Sequence, residues 1–124
     1  MTLLLLILPM LPPVEMPAQL DTEQARYVLE VSGWHVDDIP GALTIMQCES
    51  GMNSKALGDG SFAEGLFQIH GRCVDCIDGV WEGWQKWLVS VTGRSFDLLD
   101  PYDNAYAALL VFRRSGWGVW SCKP

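Results

Sequence analysis

Between Asp100 and Gly116 the chain reads Ala105-Tyr106-Ala107-Ala108-Leu109-Leu110-Val111-Phe112, a stretch that is apolar on every side of a helix. A helix with no polar face must be enclosed by other elements. Asp100 is a fitting N-cap, Pro101 suits the first helical position and Gly116 is a natural stop. The rest of the chain therefore has to wrap around one central buried helix. At 124 residues, 49% hydrophobic and 19% charged, it can bury one modest core.

The surrounding elements read mostly as helices. Asp21 and Gln24 can form a capping box at the start of a first helix that Gly33 ends. Asp38 caps a second, Pro40 sits early in it and Gly51 terminates it. On that second helix Ala42, Ile45, Met46 and Glu49 share one face. Residues 54 to 70 contain Gly58, Gly60 and Gly65 and predict a loop or small β-wing. A third helix is expected from about Val80 to Val91, with Trp81, Trp84, Leu88 and Val91 on one stripe. Together these predict a mainly α fold, helices with a small wing beside a cleft.

Glu49 is the residue on which chemistry can be placed. A carboxyl group on an apolar helix face, at the negative end of the helix dipole, is favoured in its neutral form. That is the form a general acid needs. The segment around it resembles the lysozyme-like superfamily, in particular soluble lytic transglycosylases and goose-type lysozymes. In those proteins a catalytic Glu-Ser pair is followed by Asn, Ala and a Gly-Leu-x-Gln-Ile segment. Here these are Glu49, Ser50, Asn53, Ala56, Gly65, Leu66, Gln68 and Ile69. A further element, Asp-Pro-x-x-Asn, is present as Asp100, Pro101 and Asn104. Cys48 before the glutamate and the ending Trp117, Trp120, Cys122 are similar to bacterial resuscitation-promoting factors. The likeness covers about residues 21 to 122.

The resemblance implies an α+β lysozyme-like fold and cleavage of the β-1,4 bond between N-acetylmuramic acid and N-acetylglucosamine. It implies Glu49 as the catalytic acid and base, with Ser50, Phe67, Gln68, Asn104 and Trp120 as substrate-binding candidates. For Gln68 a loop-stapling bond, and for Asn104 satisfaction of backbone groups, are the plainer alternatives. Hydrolysis usually takes two carboxylates, and the candidates for a second are Asp59 and Glu64. A lytic transglycosylase needs one, because the muramyl C6 hydroxyl attacks its own anomeric carbon. The chain lacks the later Ala-Tyr-Asn-x-Gly segment of many transglycosylases, so a hydrolytic muramidase stays open. So do an inactive peptidoglycan-binding domain and a small disulfide-stapled interaction protein.

Export is expected. Leu3 to Leu8 is uninterrupted aliphatic, too short to span a bilayer, and residues 1–18 resemble a signal peptide with cleavage after Ala18. No Lys or Arg precedes the run, which is unusual for such a signal. Residues 19–124 would then be the mature transglycosylase-like domain, secreted or associated with the cell wall. Four cysteines allow three disulfide pairings. Likeness to the resuscitation factors pairs Cys48 with Cys122 and leaves Cys73 with Cys76. A four-cysteine zinc site is the rival, although Cys73 and Cys76 alone have knuckle spacing.

No cofactor or metal is expected, since His35 and His70 stand apart from any ligand-like cluster. Their expected roles are surface or hydrogen-bonded ones. The formal net charge of −7 argues against nucleic acid as partner. The expected partner is the peptidoglycan glycan strand, met by a monomer. Trp81, Trp84 and Trp87 read as core, while Trp117 and Trp120 divide between core and cleft.

Overall fold

The computed structural model of the chain describes residues 13–58, 60, 62–71 and 83–124. Helix α1, Thr22–Val31, opens on the expected capping box: Gln24 N donates to Asp21 Oδ1 at 2.8 Å, and Asp21 N to Gln24 Oε1 at 2.9 Å. It buries Ala25, Val28 and Leu29 and stops at Ser32, before the left-handed Gly33.

Helix α2, Ile39–Ser50, buries Ile39, Ala42, Ile45 and Met46 and is closed by Gly51 in a left-handed conformation. The expected Asp38 cap does not form. Asp38 is already in a helical conformation, and the residue two places on is Pro40, which has no N–H to offer a capping carboxylate.

The glycine-rich segment makes a three-stranded antiparallel wing of β1 (Leu57–Gly58), β2 (Ala63–Glu64) and β3 (Ile69–His70). Gly58 pairs with Ala63, Ala63 with His70, and Glu64 with Ile69. Gly65 leaves β2 with φ +74°, and a Cβ there would stand 2.2 Å from Leu98 O and 2.4 Å from Asn104 Nδ2. No other residue fits that turn.

Helix α3, Trp84–Thr92, is shorter than expected, and residues 80–82 lie outside the described set along with Trp81. Leu88 is buried with Trp84 and Trp87 half-buried beside it, but Val91 is 53% exposed. Val91 falls in the last turn, beyond the surface on which Leu88 packs.

Helix α4, Pro101–Ser115, is the enclosed helix. The Asp100 carboxylate accepts from Tyr102 N and Asp103 N, and Asn104, Ala105, Ala107, Ala108, Leu109 and Val111 are buried. It packs against α1, β3 and the 3₁₀ turn Gly116–Val119. The fold is thus a helix-dominated α+β arrangement. Among the described residues no helix is long and apolar enough to cross a membrane.

The two ends of the described chain are both fastened close to the end of α2. Residues 18–20 lie along the loop after Gly51: Ala18 O accepts from Ser54 N and Ser54 Oγ, Gln19 bridges Asn53, and Leu20 N donates to Met52 O. The Tyr102 hydroxyl donates to Val14 O. The apolar run Leu3 to Leu8 lies outside the described residues. At the other end Cys122 is disulfide-bonded to Cys48 across 74 residues of chain. Cys73 and Cys76 lie outside the described residues.

Candidate active site

Glu49 is half-buried one residue before the end of α2. Its Oε2 accepts a hydrogen bond from the backbone N–H of Cys122 at 3.1 Å. Because Cys48 holds the sulfur of the same Cys122, the C-terminal tail is pinned at two adjacent points. Within the tail itself the Lys123 ammonium donates to the carbonyls of Trp117, Gly118 and Trp120.

The carboxylate opens on a cleft of about 260 Å³, just under the usual range of roughly 300–1,000 Å³ for ligand pockets. Ala63 and His70, directly paired across β2 and β3, line it together with Gln68. Val119, Trp120 and Ser121 from the pinned tail complete it. Its walls are mainly polar, with Ala63, Val119 and Trp120 as the apolar surface.

Gln68 is at the cleft, but its amide nitrogen is engaged by the protein, donating to Ala56 O at 3.1 Å and Gly65 O at 3.0 Å. Its backbone is left-handed at φ 48°, which costs about 1 kcal/mol or more for a side-chain-bearing residue. Gly58 makes room for it, since a Cβ there would meet Gln68 Oε1 at 2.4 Å. The staple therefore fixes both the wing and the position of Gln68.

Two candidates lie behind the cleft rather than in it. Phe67 is fully buried, stacked on Trp34 at 5.7 Å and tilted against Trp120 at 5.8 Å. It stands one layer below the floor, because the tight turn from Gly65 directs its ring into the core. Asn104 is 1% exposed and spends its whole amide on backbone: Oδ1 accepts from Phe67 N, and Nδ2 donates to Glu64 O and Leu98 O. It positions the Gly-Leu-Phe-Gln loop from beneath.

Ser50 is half-buried and turns its hydroxyl back to Met46 O at 3.0 Å. Trp120 is 4% exposed, lines the cleft and donates its indole N–H to Phe67 O at 2.9 Å. Glu64 follows Ala63 on β2 and so takes the opposite face from the cleft, its Oε2 lying 2.6 Å from where a Cβ on Gly71 would be. Asp59 lies outside the described residues.

Ala63, His70, Val119 and Ser121 of the lining, and Trp34 beneath it, were not expected from the sequence. His70 lines the cleft beside Glu49. The signal for it was available, since it alternates with the buried Ile69 on the strand after Gln68. Trp34 stacks on Phe67, Phe112 and Trp117 and donates its indole N–H to Ala105 O, tying the floor of the cleft to α4. An isolated tryptophan in a turn carries no periodic signal that could have announced this.

Among the described residues no group of three or more His, Cys, Asp or Glu side chains is arranged to hold a metal ion. Comparison with protein-family models, with curated proteins and with solved structures finds no match to this chain.

Proposed function

We propose that the chain is a lysozyme-like, peptidoglycan-cleaving glycosidase. It acts on the β-1,4 bond between N-acetylmuramic acid and N-acetylglucosamine, as a lytic transglycosylase with Glu49 as its single carboxylate. The observation that carries this reading is the setting of Glu49: a helix-end carboxylate anchored by Cys122 N–H on one oxygen and opening on a polar cleft floored by Trp120. Glu64, turned to the other face of the wing, is not available beside it, and one carboxylate suits an intramolecular nucleophile. In this reading Glu49 protonates the glycosidic oxygen, the sugar rests on Trp120 and Val119, and the muramyl C6 hydroxyl closes a 1,6-anhydro ring.

The Cys48–Cys122 bridge supports an oxidising setting, as expected of a secreted or wall-associated protein. Mass analysis of the products from purified peptidoglycan tests the proposal. Anhydromuropeptides support it, reducing muramic acid ends turn it into a hydrolytic muramidase, and undigested wall refutes both.

A further inference from the structure

Ser54 commits both of its hydrogen-bond donors to one atom: its N–H and its hydroxyl donate to Ala18 O at 2.8 and 2.9 Å. The two residues after Ala18 continue along the same loop. Gln19 Nε2 donates to Gly51 O at 2.7 Å, and Leu20 N to Met52 O at 2.9 Å. These bonds hold two successive left-handed residues, Gly51 at φ 62° and Met52 at φ 61°, directly behind Glu49 and Ser50. Met52 is buried and carries a side chain, and such residues keep this conformation only where their surroundings impose it. Upstream of Ala18, Met16 packs against the core and Val14 O accepts from the Tyr102 hydroxyl on α4. Residues 14–20 thus form a strap from the start of α4 to the turn that closes α2. Pro17 fixes one φ of the strap, so less freedom is lost when it is ordered.

We propose that residues 14–18 are a permanent part of the folded domain, so that the exported chain begins at or before Val14 and not at Gln19. Access of a protease does not enter, since a cut made during export precedes folding; what matters is the chain left to fold. Hydrolysis of the Ala18–Gln19 bond removes the carbonyl that both Ser54 donors share and leaves the α-amino group of a new N-terminus. That group is mostly protonated near neutral pH. Ser54 is 1% exposed, and its N–H would face a cation where it had an acceptor. The packing of Met16 and the acceptor for Tyr102 would depart with the severed piece. Gln19 and Leu20 alone would remain to hold the left-handed turn behind Glu49. The likeness to a signal peptide is thereby narrowed to the residues before Val14, among which Leu3 to Leu8 lies. This boundary is independent of what the cleft cleaves.

Three measurements test it, none of them of activity. In the full chain, hydrogen exchange at the Ser54 amide should be slowed about 100-fold or more against an unfolded chain. Exchange at the unfolded rate overturns the proposal. A chain begun at Gln19 should melt about 5 °C or more below one begun at Pro13. A Gln19 chain that never folds, beside a Pro13 chain that does, meets the same expectation; equal melting temperatures overturn it. The third measurement is the intact mass of protein recovered from outside the cytoplasmic membrane of a bacterium expressing the full chain. It reads the first residue directly, and a start at or before Val14 is expected. A start anywhere from Glu15 onward overturns the proposal, however firmly the strap is held in the longer chain.

Discussion

Cys122 is bound twice to one turn of α2: its sulfur to Cys48 and its backbone N–H to the carboxylate of Glu49. Two consecutive residues therefore hold a third that is 73 positions beyond the second in sequence. The covalent link fixes where the tail lies, and the hydrogen bond fixes which way the carboxylate turns. Position and orientation of the candidate acid have a common support.

Glu49→Gln keeps an acceptor for Cys122 N–H but has no proton to donate. Activity on cell walls should fall by roughly 100- to 10,000-fold, with the thermal transition close to that of wild type. Turbidity clearance beside a melting curve checks both halves; near-normal clearance removes Glu49 from the mechanism.

Glu64→Gln should retain most of its activity, because β2 turns that side chain away from Ala63 and the cleft. Asp59→Asn is expected to do the same. A collapse of turnover in either variant, accompanied by reducing sugar ends among the products, would make that residue the second carboxylate of a hydrolase.

Asn104→Ala strips partners from Phe67 N, Glu64 O and Leu98 O together. Each unsatisfied buried group costs about 1–3 kcal/mol, so urea denaturation should show a loss of several kcal/mol or no cooperative fold. A stable variant with only a raised KM would instead mean that Asn104 meets substrate.

Opening the Cys48–Cys122 bridge releases a loop of 74-residue separation. In the chain-entropy picture the bridge contributes about 4 kcal/mol. Cys122→Ser should lower the denaturation midpoint accordingly and cut activity as well, since Val119, Trp120 and Ser121 form a cleft wall on the freed tail. Full activity in a stable reduced protein would show that the tail needs no covalent tie.

Ser54 is 1% exposed and gives both its N–H and its hydroxyl to Ala18 O. Ser54→Ala should cost about 1 kcal/mol. A chain begun at Gln19 should lose more, because Ala18 O and the Val14 carbonyl that Tyr102 reaches are both removed. Burial, with Tyr27 and Asp100 nearby, pushes the Tyr102 hydroxyl above its usual range, so this donor keeps its proton at neutral pH and well into the alkaline range. Equal denaturation midpoints for the two chain lengths would show that the segment merely rests on the surface.

Three of the four described helices could be read from their ends, because caps and stops are local chemistry: Asp21 with Gln24, Asp100 with Pro101, and Gly33, Gly51 and Gly116. Asp38 misled for an equally local reason, the missing N–H of Pro40. The strands were legible only as a possible wing, since two residues each are too few to display alternation. Within the site, Glu49 stood out through its helix face, and Gln68 through its place in the loop. Contacts such as Glu49 with Cys122, or Trp34 with Phe67, join residues with no shared period. Only the folded chain brings them together.

The ring stack also makes the molecule its own optical instrument. Trp34, Phe67, Trp120 and Trp117 form a circuit of neighbouring rings at 5.7–6.1 Å, from the core to the cleft wall. A sugar settling against Trp120 would alter the emission of an indole already dry on its inner side. Collapse of the stack would erase the near-ultraviolet dichroism of the whole series. Occupancy and unfolding can therefore be followed separately, in unlabelled protein, from light absorbed by the same few rings.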